Sequence, residues 1–240
     1  MTDPARDGQT LVFIPTFNDV ALLPTIIEEV LALDDNYVPL VIDDGSSPRL
    51  LEAALPNGCL LFSMPVNMGL GMCTHVALDH AVKYGYGAML RIDSDGQHPV
   101  AMIPDLLLPI RNGDADMVIG TRENHGEGSG FGNFLRNLVK SYFSKVAAWI
   151  TKGGVPRDVN SGFFALNQEA VGKLSLATLE RFPEPQMLIL AHKDGLRISE
   201  VVISQSPRQH GKTTLSFSHA ARLIYRFSIF AAAEIVSFRR

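Results

Sequence analysis

The chain has 240 residues, 46% of them hydrophobic, which is enough to bury a full core and too apolar for a disordered tail. Two cysteines, Cys59 and Cys73, exclude a disulfide framework, and no CxxC or Cys/His cluster offers zinc ligands, so a reducing compartment is expected. The net charge of −4 hides a division: residues 1–128 hold 6 Lys/Arg against 18 Asp/Glu, which suits a metal or plain solubility, and residues 129–240 hold 15 against 7, which suits phosphates or an anionic membrane.

The first ten residues place acids beside Arg6 and contain no apolar stretch, so no secretion signal is read there and a cytoplasmic protein is expected. Leu11 to Pro15 reads as a buried strand, and Ala21 to Leu33 repeats apolar residues at helical spacing. Val38 to Asp43, Cys59 to Met64, Ala88 to Asp93 and Met117 to Gly120 are further strands, separated by helices near Met72 to Tyr84 and Ile103 to Arg111. This βαβ series predicts an α/β fold with a mainly parallel sheet, helices on both faces, and ligands at the carboxyl ends of the strands. A glycine-rich stretch then precedes a helix from about Phe131 to Lys152. The FFAL run is a strand, Pro185 to Asp194 a helix and Ile198 to Ser204 a strand, before a polar loop and a last helix from about Leu215 to Phe238. No run reaches the ~18 uncharged apolar residues of a membrane span, because Arg222, Arg226 and Glu234 interrupt the apolar C-terminal segment.

The polar motifs fall at strand ends. The first strand runs into Pro15-Thr16-Phe17-Asn18-Asp19, without the GxGxxG of a dinucleotide fold. The GKTT at Gly211 to Thr214 has Ser206 where a P-loop needs its earlier glycine. The second strand ends in Asp43-Asp44-Gly45-Ser46-Ser47, carboxylates able to accept from a base N–H or ribose hydroxyls, in a turn that is also ordinary Asp-Gly chemistry. Asn67-Met68-Gly69-Leu70-Gly71 allows close backbone approach to a ligand or caps a helix. Asp93-Ser94-Asp95-Gly96-Gln97-His98 carries two carboxylates that can turn toward one hard cation, Mg²⁺ or Mn²⁺, bridging a diphosphate. A dehalogenase-type nucleophile is the rival for this motif, but it belongs on a first strand and is followed by Thr.

Taken in order, IPTFND, DDGSS, NMGLG, DSDGQHP, VIGTR, DVNSGF and Arg208-Gln209-His210-Gly211 resemble the family 2 inverting glycosyltransferases of GT-A fold. The resemblance is closest to the branch of polyprenyl-phosphate sugar synthases, dolichyl-phosphate mannose synthase among them, and runs from Leu11 to about Thr214. It implies a GT-A domain over residues 1–214, followed by an amphipathic helix over 215–240 that lies on a membrane or packs on the domain. It implies that Pro15, Thr16, Asn18, Asp43, Asp44, Asn67, Gly69 and Ser94 hold the nucleotide, and that Asp93, Asp95 and Gln97 hold the divalent cation. Arg122 and Arg136 match acceptor-phosphate positions, Arg208 and Lys212 a loop that closes over the donor, and Asp158 a catalytic base.

The implied reaction transfers a sugar from a nucleoside-diphosphate sugar to a polyprenyl phosphate or other lipid-linked acceptor at the cytoplasmic membrane face. Transfer onto a saccharide hydroxyl and a non-catalytic nucleotide-sugar-binding subunit are the alternatives. A membrane surface, a separate membrane protein and a second copy of the chain are further partners to consider, and no nucleic acid is expected. One departure stands out: where relatives commonly carry Glu, fourteen residues before Glu200, this chain has Gln186, with Glu184 nearby. Of the histidines, His98 and His210 sit in motif loops, while Trp149 and its aromatic neighbours are expected to pack. On the last helix, Leu223, Phe227, Phe230 and Phe238 are expected to form an apolar side toward lipid, with Arg222, Arg226, Arg239 and Arg240 at headgroups; packing on the domain is the competing expectation.

Overall fold

The computed structural model describes residues 6–122, 131–156, 158–203 and 217–237, and within these the side chains at 122, 131–134, 136, 218, 219 and 237 are outside the description. The apolar runs form β1 (Thr10–Thr16), β2 (Tyr37–Asp43), β3 (Leu60–Ser63) and β4 (Ala88–Arg91), which pair in parallel, with Leu11 opposite Val38 on one side and Met89 on the other. Three more strands, β5 (Met117–Arg122), β6 (Phe164–Asn167) and β7 (Ile198–Ile203), complete a seven-stranded sheet of order β3-β2-β1-β4-β6-β5-β7. The mainly parallel sheet expected from the sequence is therefore present, with β6 reversed between β4 and β5. The chain re-enters the sheet from the edge at which β5 left it, so the segment before β6 lies at the same edge as the segment after β4.

Alternation along β1 explains why its run is apolar throughout: Leu11 and Phe13 enter one core while Val12 and Ile14 enter another. The second core is covered by α1 (Leu23–Leu33) and α3 (Ile103–Arg111). On α1 the buried residues Leu23, Ile26, Ile27 and Val30 follow helical spacing, and Pro24 sits at the N-terminus, where its missing N–H costs nothing. The first core is covered by α2 (Leu70–Tyr84), α4 (Phe131–Ile150), α5 (Gln168–Ser175), α6 (Pro183–Lys193) and α7 (Phe217–Ser237). Sequence periodicity missed α5, whose start is marked by Asn167 accepting from the Ala170 N–H as an N-cap.

Two expectations about the second half are corrected. Phe227 is buried, its ring 4.5 Å from that of Phe143 on α4, and Leu223 and Phe230 pack against the same core. The aromatic side of α7 thus faces the domain, since a flat aromatic stripe gains more from close packing on α4 than from water; Phe238 is outside the described residues. Conversely Trp149 is 69% exposed, because the buried stripe of α4 is Leu135, Val139, Phe143 and Ala147, four residues apart, and position 149 lies off it. Ion pairs from Arg226 to Glu180 and from Lys193 to Glu234, both at 2.7 Å, further tie α7 to the domain.

Candidate functional site

The ends of β1, β2 and β4 and the start of α2 surround a cleft of about 270 Å³, lined among others by Pro15, Thr16, Asp44, Asp93, Ser94 and Asp95. Six residues singled out from the sequence thus meet at the carboxyl edge of the parallel strands, where ligands bind in open α/β sheets. A second opening, of about 320 Å³, lies at the opposite edge beside Gly8, Gly87 and Glu169 and holds none of them.

The remaining motif residues shape this cleft from behind. Asn18 has a left-handed backbone, φ 55°, which asparagine tolerates. Its N–H donates to Ser46 Oγ and its Oδ1 accepts from the Ser47 N–H, both at 2.8 Å, joining the β1 and β2 loops. Asp43 is fully buried; its Oδ1 accepts from the Ser46 N–H and its Oδ2 from the Leu50 N–H, so it closes its own turn and does not reach the cleft. Asp44 Oδ1 accepts from the Met68 N–H at 2.7 Å, and its Oδ2 accepts from the Gly69 N–H and Asn67 Nδ2, both at 2.9 Å. Its carboxylate therefore clasps the loop carrying Asn67 and Gly69. Gly45 is required there because a Cβ would come within 2.5 Å of the Val66 backbone. Burial, and then the neighbouring Asp44 carboxylate, push the Cys73 thiol in the cleft wall up to about 12, which leaves it neutral and poorly nucleophilic.

Just past β4 the two carboxylates of the acidic motif are held differently. Asp95 Oδ1 accepts from the Gln97 N–H at 3.1 Å, forming a turn in which Gly96 has φ 72°. Asp93 Oδ1 accepts from Arg91 Nη2 at 2.7 Å and Nε at 3.1 Å, and Arg91 Nη1 donates to Glu184 Oε1 at 2.6 Å. Burial alone would disfavour a charged guanidinium, but Asp93 and Glu184 outweigh it and raise the Arg91 pKa. The Asp93 N–H donates to His98 Nδ1 at 3.2 Å, and the buried His98 ring stacks on Phe163. His98 thus supports the turn from the core.

Sequence reading overlooked Arg91, which interrupts the apolar run Ala88 to Ile92 and so was visible as a charge in a buried strand. It also overlooked Arg181, whose Nη2 donates to Asn67 Oδ1. Asp158 lies four residues before Gly162, where a Cβ would come within 2.7 Å of Asp93 Oδ2; Asp158 Oδ1 accepts from the Asn160 N–H. Gln186 is buried, its Oε1 accepting from the Glu180 N–H at 2.7 Å. Arg122 ends β5 and Arg136 lies in α4, their side chains outside the description; Arg208, His210 and Lys212 lie outside the described residues.

The donor set fits a hard divalent cation. Asp93 and Asp95 both line one cleft, and their carboxylates are hard oxygen donors. That pair suits Mg²⁺ or Mn²⁺ bound by one or two carboxylates and completed by diphosphate oxygens and water.

The family model for glycosyl transferase family 2 matches residues 11–175. Polyprenol monophosphomannose synthase of Mycolicibacterium smegmatis is 27% identical over 237 residues, covering 93% of this chain and 88% of that protein. Dolichol-phosphate mannosyltransferase of Pyrococcus furiosus is 33% identical over 177 residues, covering 69% of this chain and 48% of that one. Among solved structures, glucosyl-3-phosphoglycerate synthase from Mycobacterium tuberculosis, in complex with Mn²⁺, UDP and phosphoglyceric acid, superposes with a TM-score of 0.71 at 17% identity. It covers 95% of this chain and 78% of that one, a likeness of fold.

Proposed function

Because the chain belongs to glycosyl transferase family 2 and has its GT-A fold, we propose that it transfers a sugar, with inversion, from a nucleoside-diphosphate sugar to a polyprenyl phosphate. The observation that carries this reading is the meeting of Thr16, Asp44, Ser94, Asp93 and Asp95 in one cleft at the carboxyl edge of the sheet. Its support from outside the chain is that relatives over most of its length are named as polyprenyl-phosphate mannosyltransferases.

In this reading the nucleotide lies along the ends of β1 and β2, against Pro15 and Thr16 and beside the loop that Asp44 clasps. Asp93 and Asp95, with Gln97, hold Mg²⁺ or Mn²⁺, which when bound neutralises the leaving diphosphate. Arg208 adds a second positive charge to the diphosphate. Arg122 and Arg136 hold the acceptor phosphate in line behind the anomeric carbon by charge-assisted hydrogen bonds. A phosphate acceptor is already ionised and needs little base help, which agrees with a site where Gln186 cannot take a proton and Glu184 is engaged by Arg91. Asp158 orients the acceptor oxygen or takes residual protons.

No helix among the described residues is long and apolar enough to cross a membrane. We place the protein on the cytoplasmic membrane surface through the outward face of α7, where Tyr225, Ile229 and Val236 are exposed beside Arg222, an arrangement suited to an anionic interface.

The test is to incubate the protein with a panel of UDP- and GDP-sugars and a polyprenyl phosphate, with Mn²⁺ or EDTA, and to analyse the lipid phase by mass spectrometry. The expected outcome is a metal-dependent sugar-phosphate-lipid product, with acceptor kcat/KM reduced about 10- to 100-fold in Arg122→Ala and in Arg136→Ala, as the loss of a ~1.5–3 kcal/mol charge-assisted bond implies. Sugar transferred to a saccharide hydroxyl while polyprenyl phosphate stays unmodified would reject the proposal.

A further inference from the structure

A guanidinium inside a β-sheet needs a reason. Arg91 is 3% exposed at the end of β4, and its Nε, Nη1 and Nη2 donate to carboxylates from two distant parts of the chain, Asp93 beside it and Glu184 on α6. A third element closes on the same spot. Gly162, in the loop before β6, packs so near that a Cβ there would come within 2.9 Å of Arg91 Nη2 and 2.7 Å of Asp93 Oδ2. Asp93 is the partly exposed member of the group, its side chain 31% accessible against 10% for Glu184.

Burying this ion cluster costs desolvation that an apolar trio would avoid, so stability alone is a weak explanation for it. What the cluster does supply is orientation. Two N–H groups converge on the single oxygen Oδ1 of Asp93 and fix the plane of its carboxylate. The Glu184 bond in turn fixes the guanidinium, and the absence of a side chain at Gly162 leaves it the space it occupies. Asp95, two residues on, is set by its own turn with the Gln97 N–H. The pair thus comes to the cleft with one carboxylate oriented by a turn and the other by a buried cation.

We propose that Arg91, anchored by Glu184, is a positioning residue that presents the Asp93 carboxylate to the divalent cation of the donor complex. This rests on the cation reading of the site given above. Carboxylates that ligate metals are themselves held by hydrogen bonds, and removal of such partners typically weakens metal affinity or activity 10- to 100-fold.

The experiment measures Mn²⁺ binding directly, by electron paramagnetic resonance, with whichever of UDP and GDP raises the melting temperature more, alongside nucleotide affinity in EDTA by calorimetry. The variant is the double substitution Arg91→Met with Glu184→Met, which removes a buried cation and a buried anion together. Expected are a cooperative melt, Mn²⁺ affinity of the nucleotide complex lowered about 10- to 100-fold, and metal-free nucleotide affinity within about twofold of wild type. A folded double variant with wild-type Mn²⁺ affinity, or one whose metal-free nucleotide affinity falls in the same proportion, would overturn the proposal. If the double variant does not fold, Arg91→Lys decides: it keeps the charge between the carboxylates but lacks the planar fork, so reduced Mn²⁺ affinity supports the role and unchanged affinity overturns it. Failure of the underlying reading is recognised separately, because wild-type nucleotide binding would then be indifferent to Mn²⁺.

Discussion

Asp44→Asn separates two roles that a carboxylate at a nucleotide site can play. Asparagine has the same shape but one acceptor oxygen instead of two, and in the wild type Oδ1 meets the Met68 N–H while Oδ2 meets the Gly69 N–H and Asn67 Nδ2. Whichever way the new amide sits, its NH₂ faces at least one donor. Asn67 cannot turn its own amide to compensate, because its Oδ1 already accepts from Arg181 Nη2. One charge-assisted bond, ~1.5–3 kcal/mol, is lost, and the remainder fall to the ~0.5–1.5 kcal/mol of neutral bonds. The expected destabilisation is about 3 kcal/mol, a large share of the 5–15 kcal/mol that holds a domain. Urea unfolding reads this as a lower midpoint at unchanged slope. Calorimetry with UDP and GDP should show weaker binding, since the loop bearing Asn67 and Gly69 loses its clasp. A variant with wild-type stability and lost nucleotide affinity would refute this reasoning and place the carboxylate on the nucleotide itself.

Asp95→Asn should remove the Mn²⁺ dependence of nucleoside-diphosphate binding and abolish turnover; calorimetry showing unchanged metal-dependent affinity would count against Asp95 as a ligand. Asp116 is bound by Arg197 through Nη2 at 2.8 Å and Nε at 3.0 Å, and these hydrogen bonds hold its carboxyl down at about 2. Because that folded value lies below the ~3.9 of an unfolded aspartate, the stabilisation is present above about pH 4 and lost as pH falls toward 2. Asp116→Asn should therefore unfold more easily at pH 7 and show a shallower loss of stability between pH 4 and 2 by circular dichroism. On α7, Tyr225→Ser with Ile229→Ser should reduce cosedimentation with anionic liposomes at low salt while leaving the melting temperature near wild type. Phe227→Ala should cost about 3–5 kcal/mol of stability, as expected for an emptied aromatic site; liposome binding unaffected by the outer pair would rule out that face.

Strand positions were legible from the sequence because a buried parallel strand is a short apolar run and its exit is marked by acids and glycines. Which of those acids reach the cleft was not legible, since it depends on partners far along the chain. Asp44 is claimed by backbone 24 and 25 residues away, and Arg91 by a glutamate 93 residues away. Asp43 and Asp44 look equivalent in DDGSS, yet the pleat sends one inward to its own turn and the other to the neighbouring loop. On α7, apolar residues occur on opposite sides, and periodicity could not tell which would be buried. The aromatic Phe227 side meets Phe143, while Tyr225, 67% exposed, stays outside. The short α5 was missed because its eight residues carry too few apolar positions to show a period.

The reversed strand β6 has a consequence for how such a site can change over time. To one side lie β3, β2, β1 and β4, with the acidic motifs at the ends of β2 and β4; to the other lie β5, which falls in the acidic half of the chain, and β7, which belongs to the basic half. β6 bonds to both neighbours through a register of four residues with β4 and three with β5, and the loop that feeds it passes close to Arg91 and Asp93 at Gly162. The seam is narrow. Residues after Asn112 can therefore be exchanged for those of a relative, with the strand ends around Thr16, Asp44 and Asp95 keeping their places, only if the core contacts, the glycine at the join and the glutamate facing Arg91 are carried along. A chimera that ignores those positions would loosen the guanidinium that holds the Asp93 carboxylate.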